Sequence, residues 1–367
     1  MKKIIICCIL FLFIFNGFAQ EKFKYSNKLN PIKVSISNQI KGINFIDATT
    51  YLPKNFKSDG TVDYTHFLQK AINENKNILM PDFKVLINDN GLKIPSDRNL
   101  YFRTSSQLIL KGTTKEKYAI LSIENSNNIS IINPHLVGDR KVHLGKSGEW
   151  GMGINVLSAN NVKIFNPNIS NCWGDGIYIN RLPGQRNSSE IFVQGGMIDN
   201  NRRNAISIIS GSNISIYDIL LSNQNGTAPE GGLVIEPNNN NDILQEISLI
   251  NINTLNNNEM GIGIVLTKLI GPNQKQVSIK INNHKDFQSS QSILLAGLRS
   301  SYKSNFKRIN GTIKISNSSW NGRNGIGRFG SNFYYMPSVE LNDIKSTNSS
   351  INSFKNDLIK RKIKVNN

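Results

Sequence analysis

Between Gly148 and Asn238 the chain repeats one short pattern: GEWGMGINVL, CWGDGIYIN, NRRNAISIIS and PEGGLVIEPN. Each copy is a turn containing Gly or Ala, then a strand opening on Ile or Leu with apolar residues at alternate positions. Asn-rich joints and a second short strand, of the type NVKI, EIFV or NISI, separate the copies. A unit this small cannot bury its apolar face alone, so the copies must stack. Stacking puts equivalent side chains of successive turns into one column, and that column is where chemistry is expected.

The repeat extends beyond its clearest copies. Lead strands begin near Ile129, Val162, Ile191, Ile214, Ile247, Val277, Ile313 and Val339, at steps of 23 to 36 residues. Short strands, period-two patterning and Asn/Gly/Ser joints argue for an all-β chain. Hairpin turns of the Asn-Gly or Asp-Gly type do not recur at regular spacing, which argues against an open antiparallel sheet. One segment reads as a helix: Asp63 can cap it, and Phe67, Ala71 and Ile72 form its apolar stripe. It is suited to cover the first coil, and the basic stretch Lys355–Lys364 to cover the last. The expectation is one solenoid domain over residues 20–367, with a cap at about 45–80 and coils at about 85–350, and Asn238–Asn241 as a surface loop.

Lys2 and Lys3, the apolar run from Ile4 to Phe15 and the small residues up to Ala19 read as a secretory signal, residues 1–19. The run is too short to span a membrane, and none of the later segments is long and apolar enough. Export to the periplasm or medium is therefore expected. With Cys7 and Cys8 inside the signal, only Cys172 would remain, so no internal disulfide is available. The formal charge is +18, and +16 without Lys2 and Lys3. Export, and the lack of a helix–turn–helix, zinc-finger or RNA-binding motif, turn that charge away from nucleic acid. An anionic oligo- or polysaccharide is the better partner, bound by a monomer.

The runs SDGTVDYTHFLQKAI (58–72), GLKIPSDRNLYF (91–102), GDGIYI and GTAPEGGLVIEPN resemble the pectin-lyase-like superfamily. That resemblance implies a right-handed parallel β-helix with a short N-terminal capping helix. It does not fix a reaction, because the superfamily holds lyases, hydrolases, epimerases and inert tailspike-like proteins. An exported, basic, Asn/Lys/Ile-rich β-helix is also similar to proteins of marine polysaccharide breakdown, in particular the oligosaccharide dehydratase type of ulvan degradation.

Setting Ile154, Ile177, Ile206, Leu233 and Ile262 as equivalent gives a register. Outward of it, Trp150, Trp173 and Arg202 fall on one edge, with Tyr178 and Asn180 on the adjoining face. Indole faces can stack on sugars while Arg forks hold carboxylate or sulfate. The loop 138–150 overhangs this face with Lys141 and His143, histidine being the side chain whose unperturbed pKa lies near working pH. The same register puts Asp175 and Glu236 two coils and five residues apart, about 19 Å, too far for a glycosidase pair at roughly 5–9.5 Å.

Elimination from a uronate needs a base, a cation on the carboxylate and a donor to the leaving oxygen. His143 or Tyr178 as base, Arg202 or Arg203 as clamp, and Tyr178 or Lys141 as donor supply them. Trp150, Trp173, Asp175, Asn180 and Glu236 then complete the saccharide site. The expectation is a carbon–oxygen lyase, as polysaccharide lyase or oligosaccharide dehydratase. A glycoside hydrolase and a non-catalytic carbohydrate-binding β-helix are the alternatives. No cofactor is required by the sequence; Ca²⁺ is possible at a weak site of Glu236 with Asn180.

Overall fold

The computed structural model of the protein describes residues 30–296, 305–330, 335–346, 351–360 and 364–366. The expected signal segment, residues 1–19, lies outside them. One wall of the solenoid is a nine-stranded parallel sheet, with one strand from each successive turn. Its strands are β1 (Leu92–Lys93), β2 (Lys117–Glu124), β3 (Trp150–Leu157), β4 (Ile177–Asn180), β5 (Ile206–Ile208), β6 (Gly231–Ile235), β7 (Met260–Val265), β8 (Gln291–Ala296) and β9 (Gly327–Phe329). A nineteen-stranded system makes the remaining walls. The architecture is the right-handed parallel β-helix, the hand that a right-twisted strand favours when it returns to a parallel neighbour.

The core follows from alternation. Ile154, Ile177, Ile206, Leu233 and Ile262 stand in register across β3 to β7. Together with Val156, Ile179, Ile208, Ile235 and Ile264 they are fully buried. On another wall Ile129, Val162, Ile191, Ile214 and Ile247 align as expected. There the next residue in the column is Ile279 rather than Val277, because an irregularity between Leu244 and Ile247 shifts the pairing.

The Asn-rich joints have a backbone cause. Asn133, Asn166, Asn171, Asn200, Asn223 and Asn256 all take positive φ between 49° and 59°. This left-handed turn suits Asn better than residues with bulkier side chains. Their amides then bond between coils, as in Asn166 to Asn133 at 3.0 Å and Asn256 to Asn223 at 2.9 Å.

The N-terminal helix α1 (Thr65–Glu74) caps the first turns with Leu68, Ala71 and Ile72 buried, while Phe67 packs only partly. Asp63 lies one residue before the cap position and accepts from the amide and hydroxyl of Thr65. At the far end α2 (Ile351–Lys360) buries Phe354 and Leu358, so apolar packing rather than its basic residues anchors that cover. None of the helices among the described residues is long and apolar enough to cross a membrane.

Candidate functional site

The outer face of β2 to β6 carries Ser122, Asn155, Tyr178, Ser207 and Val234 in one register line. Parallel strands hold such a line rigidly, because every backbone group in the ladder is paired. Loops entering and leaving these strands supply the remaining side chains.

The loop 138–150 is pinned by a layered stack. Asp139 is fully buried, accepts from the Tyr118 hydroxyl at 2.5 Å and lies 2.7 Å from His143 Nδ1. The His143 ring stacks on Trp173 with centroids 3.9 Å apart, and the Arg202 guanidinium sits over that indole, 3.9 Å from its centroid. Trp173 donates to Ser147 O at 3.2 Å, and Arg202 to Gly148 O at 2.7 Å. The His143 side chain is 0% exposed. The imidazole is enclosed between Tyr118 and Trp173, a placement that fits pinning the loop rather than the expected role of base. Arg202 and Trp173 likewise hold the loop instead of facing the groove. Lys141 is exposed on that loop, outside the stack.

Trp150 separates from Trp173 for a local reason. It belongs to β3 and pairs with Lys117, whereas Trp173 lies in a turn before β4 has begun. An offset counted back from the strand holds only while both chains are extended. Trp150 therefore lies 46% exposed at the groove.

A charged centre occupies the next coils. Asp175, fully buried, accepts from Asn204 N at 3.0 Å and from Ser207 Oγ at 2.7 Å. Arg203 lies between two carboxylates: its Nε is 3.4 Å from Glu149 Oε2, and its Nη1 is 3.9 Å from Asp175 Oδ1. Glu236, half-buried at the end of β6, has a carboxyl raised above its ordinary value by burial. The positive charges of Lys268 and Arg203 draw it back, while Asp175 and Glu149 push it up. The turn at 174–176 sends the Asp175 carboxylate over to Ser207 on the following coil, a reach that counting along straight strands does not capture.

Beside this centre lies a cavity of about 280 Å³ lined by Lys117, Trp150, Met152, Asn155, Leu157, Tyr178, Asn180 and Arg181. Asn155 is 8% exposed, and its Oδ1 has no hydrogen-bond partner. Leaving such a buried acceptor unpaired costs roughly 1–3 kcal/mol. The Tyr178 hydroxyl accepts from Asn180 Nδ2 at 3.0 Å, and burial raises its pKa, so it stays protonated over the ordinary pH range. Arg181 is fixed through Nε to Asp242 Oδ1 at 3.1 Å, and Asp242 also caps the amides of Asn238 and Asn239.

Sequence reasoning missed Tyr118, Asp139, Asn155, Ser207 and Arg181. Asn155 and Ser207 share the outward register of Tyr178, which was the available signal. Among the described residues, no group of three or more His, Cys, Asp or Glu side chains converges as a metal-binding set.

None of the protein-family models matches this chain. Among curated proteins, the Bacillus subtilis (strain 168) uncharacterized protein YclG is 28% identical over 187 residues, covering 47% of this chain. The chain spans only 32% of that relative's length. Among solved structures, an iota-carrageenase complexed to iota-carrageenan fragments matches with TM-score 0.60 at 11% identity, covering 89% of this chain and 93% of that one. The tailspike gp49 of Acinetobacter baumannii bacteriophage Fri1, a capsular polysaccharide depolymerase, matches with TM-score 0.55 at 12% identity, covering 88% of this chain and 62% of that one. At these identities the likeness establishes the fold: this chain is a parallel β-helix of the kind those proteins share.

Proposed function

We propose that this protein hydrolyses glycosidic bonds in an anionic polysaccharide laid along the nine-stranded wall. Glu236 is the proton donor and Glu149 the base that activates water. One observation carries the reading: a single guanidinium, Arg203, is shared by two carboxylates, and a third, half-buried carboxyl, Glu236, feels the charge of all three. Carboxyls driven apart in pKa by their surroundings are the working parts of glycoside hydrolysis. In this scheme Glu236 gives its proton to the glycosidic oxygen as the bond from the anomeric carbon breaks. Glu149 takes a proton from the water that attacks that carbon. Asp175 is a positioning residue, holding Arg203 and Ser207 from below.

The same groups fit elimination poorly. A uronate carboxylate needs a cation free to neutralise it, and Arg203 already faces two anions. Tyr178 can donate a proton but is a poor base, and His143 is enclosed. The fold likeness to a capsular polysaccharide depolymerase and an iota-carrageenase supports a polymeric saccharide. The positive formal charge supports an anionic one, and the N-terminal Lys2–Ala19 segment supports action outside the cytoplasm.

The pH profile tests the donor. Activity is expected to fall as pH rises through the raised Glu236 value, since the acid must be protonated to act. Lys268 draws that value down, so Lys268→Ala should move the falling limb to higher pH. A limb that stays put or moves down would exclude Glu236 as the donor.

A further inference from the structure

We propose that the cavity between Trp150, Asn155 and Arg181 is a subsite for one pyranose ring bearing an anionic substituent. The proposal deepens the hydrolase reading and rests on it for what the ring belongs to, a saccharide chain crossing the adjacent Glu149–Glu236 centre.

Four features converge on such a ring. The cavity, about 280 Å³, falls just below the roughly 300 Å³ at which pockets for drug-sized ligands begin, so it suits a single ring and its substituents. Trp150 stands exposed at its edge, and an indole face packs well against the C–H face of a sugar. Asn155 presents a buried amide oxygen with no partner. Its lining neighbours Met152 and Leu157 carry no donor, and the Tyr178 hydroxyl, which accepts from Asn180, makes no hydrogen bond to it. A sugar hydroxyl supplies the missing donor.

Charge selects among sugars. Lys117 lies in register with Trp150 and has no ion-pair partner among the described residues. Arg181 is held by one nitrogen, Nε, against Asp242. The Nη edge of that fork thus remains for a ligand, the geometry that grips carboxylate or sulfate oxygens. Both anions offer the same planar or tetrahedral oxygen cluster, so the shared chemistry is an anionic pyranose. The substituent itself is read out by the choice of probe.

The test uses the full chain carrying Glu236→Gln, which binds without turnover. It is titrated calorimetrically with tetrasaccharides of polygalacturonate, of a sulfated galactan and of neutral galactan. At least one anionic probe should bind ~10-fold or more tighter than the neutral one, and the better of the two names the substituent. Adding Asn155→Ala or Trp150→Ala should weaken it about 10-fold. Lys117→Ala and Arg181→Ala should shrink the preference for charge. Should Asn155→Ala fail to fold, Asn155→Asp keeps the size and adds a like charge, so it should weaken the anionic probe more than the neutral one. Equal affinity for charged and neutral probes, or unchanged affinity in the Asn155 variants, would overturn the subsite. Affinities as expected in a chain that cleaves nothing would remove the hydrolase reading and leave the subsite standing. Cleavage with no effect of these variants would remove the subsite alone.

Discussion

Glu236→Gln is expected to lower kcat by roughly 10²–10⁴-fold, the contribution of a well-placed general acid, with the β-helix intact. Gln keeps the shape and hydrogen-bonding reach of the side chain but has no proton to give. Burial raises the Glu236 carboxyl, and this has a second consequence. A carboxyl raised in the folded state contributes its full stability below the unfolded value and loses it as pH rises through the folded value. The neutral amide escapes that loss. Glu236→Gln should therefore melt at a higher temperature than the natural chain at neutral or alkaline pH, and no higher in acid. A variant that is dead yet more stable only above the carboxyl titration is the signature of a functional acid kept at a cost to the fold. Unchanged kcat would remove Glu236 from the mechanism.

Trp320→Ala is expected to destabilise the C-terminal coils by about 3–5 kcal/mol, the usual cost of emptying a buried aromatic site. Trp320 is fully buried and packs edge-on against Phe354 of α2 with centroids 6.0 Å apart. Its Nε1 donates to His284 Nδ1 at 3.0 Å, and His284 Nε2 lies 2.8 Å from Thr254 Oγ1. Thr254 in turn donates to Asp286 Oδ1 at 2.6 Å, and Ser292 to Asp286 Oδ2 at 2.9 Å. Burial pushes the His284 pKa down to about 3, so the ring is neutral, receiving at Nδ1 and donating at Nε2. Removing the indole leaves Nδ1 buried and unpaired as well as leaving a void. Because coils couple only to their neighbours, the damage should stay local. Amide exchange should lose roughly two to three orders of magnitude of protection over Gln276–Asn282, Lys285–Phe287 and Asn310–Asn321, with little change near β3. Trp320→Phe retains the packing and should cost only about 1–3 kcal/mol for the orphaned nitrogen. Uniform loss of protection along the whole solenoid would contradict this picture.

The fold was legible because its rule is local and repeated. Ile154, Ile177, Ile206, Leu233 and Ile262 align from the repeat alone, and they pair in that register in the structure. Inside a strand, counting residues is equivalent to measuring position. The site was legible only where it lies on strands. Tyr178 and Asn180 could be placed from β4, and Trp150 from β3 once its pairing with Lys117 is known. Turns broke the count. Trp173 and Arg202 leave the groove to clamp the 138–150 loop, and Asp175 swings forward to the next coil. His143 shows the limit most clearly. A histidine in a long polar loop reads as accessible, and only the tertiary contacts of Asp139, Tyr118 and Trp173 reveal it as a buried pin.

Digestion of anionic polysaccharides in water enriched in heavy oxygen tests the central claim most directly. Hydrolysis places one water oxygen in every new reducing end, so the account predicts shortened chains that carry the label and no added double bond. Unlabelled fragments with unsaturated, ultraviolet-absorbing ends would contradict it in favour of elimination. A polymer bound tightly but recovered at full length would reduce the groove to a binding surface.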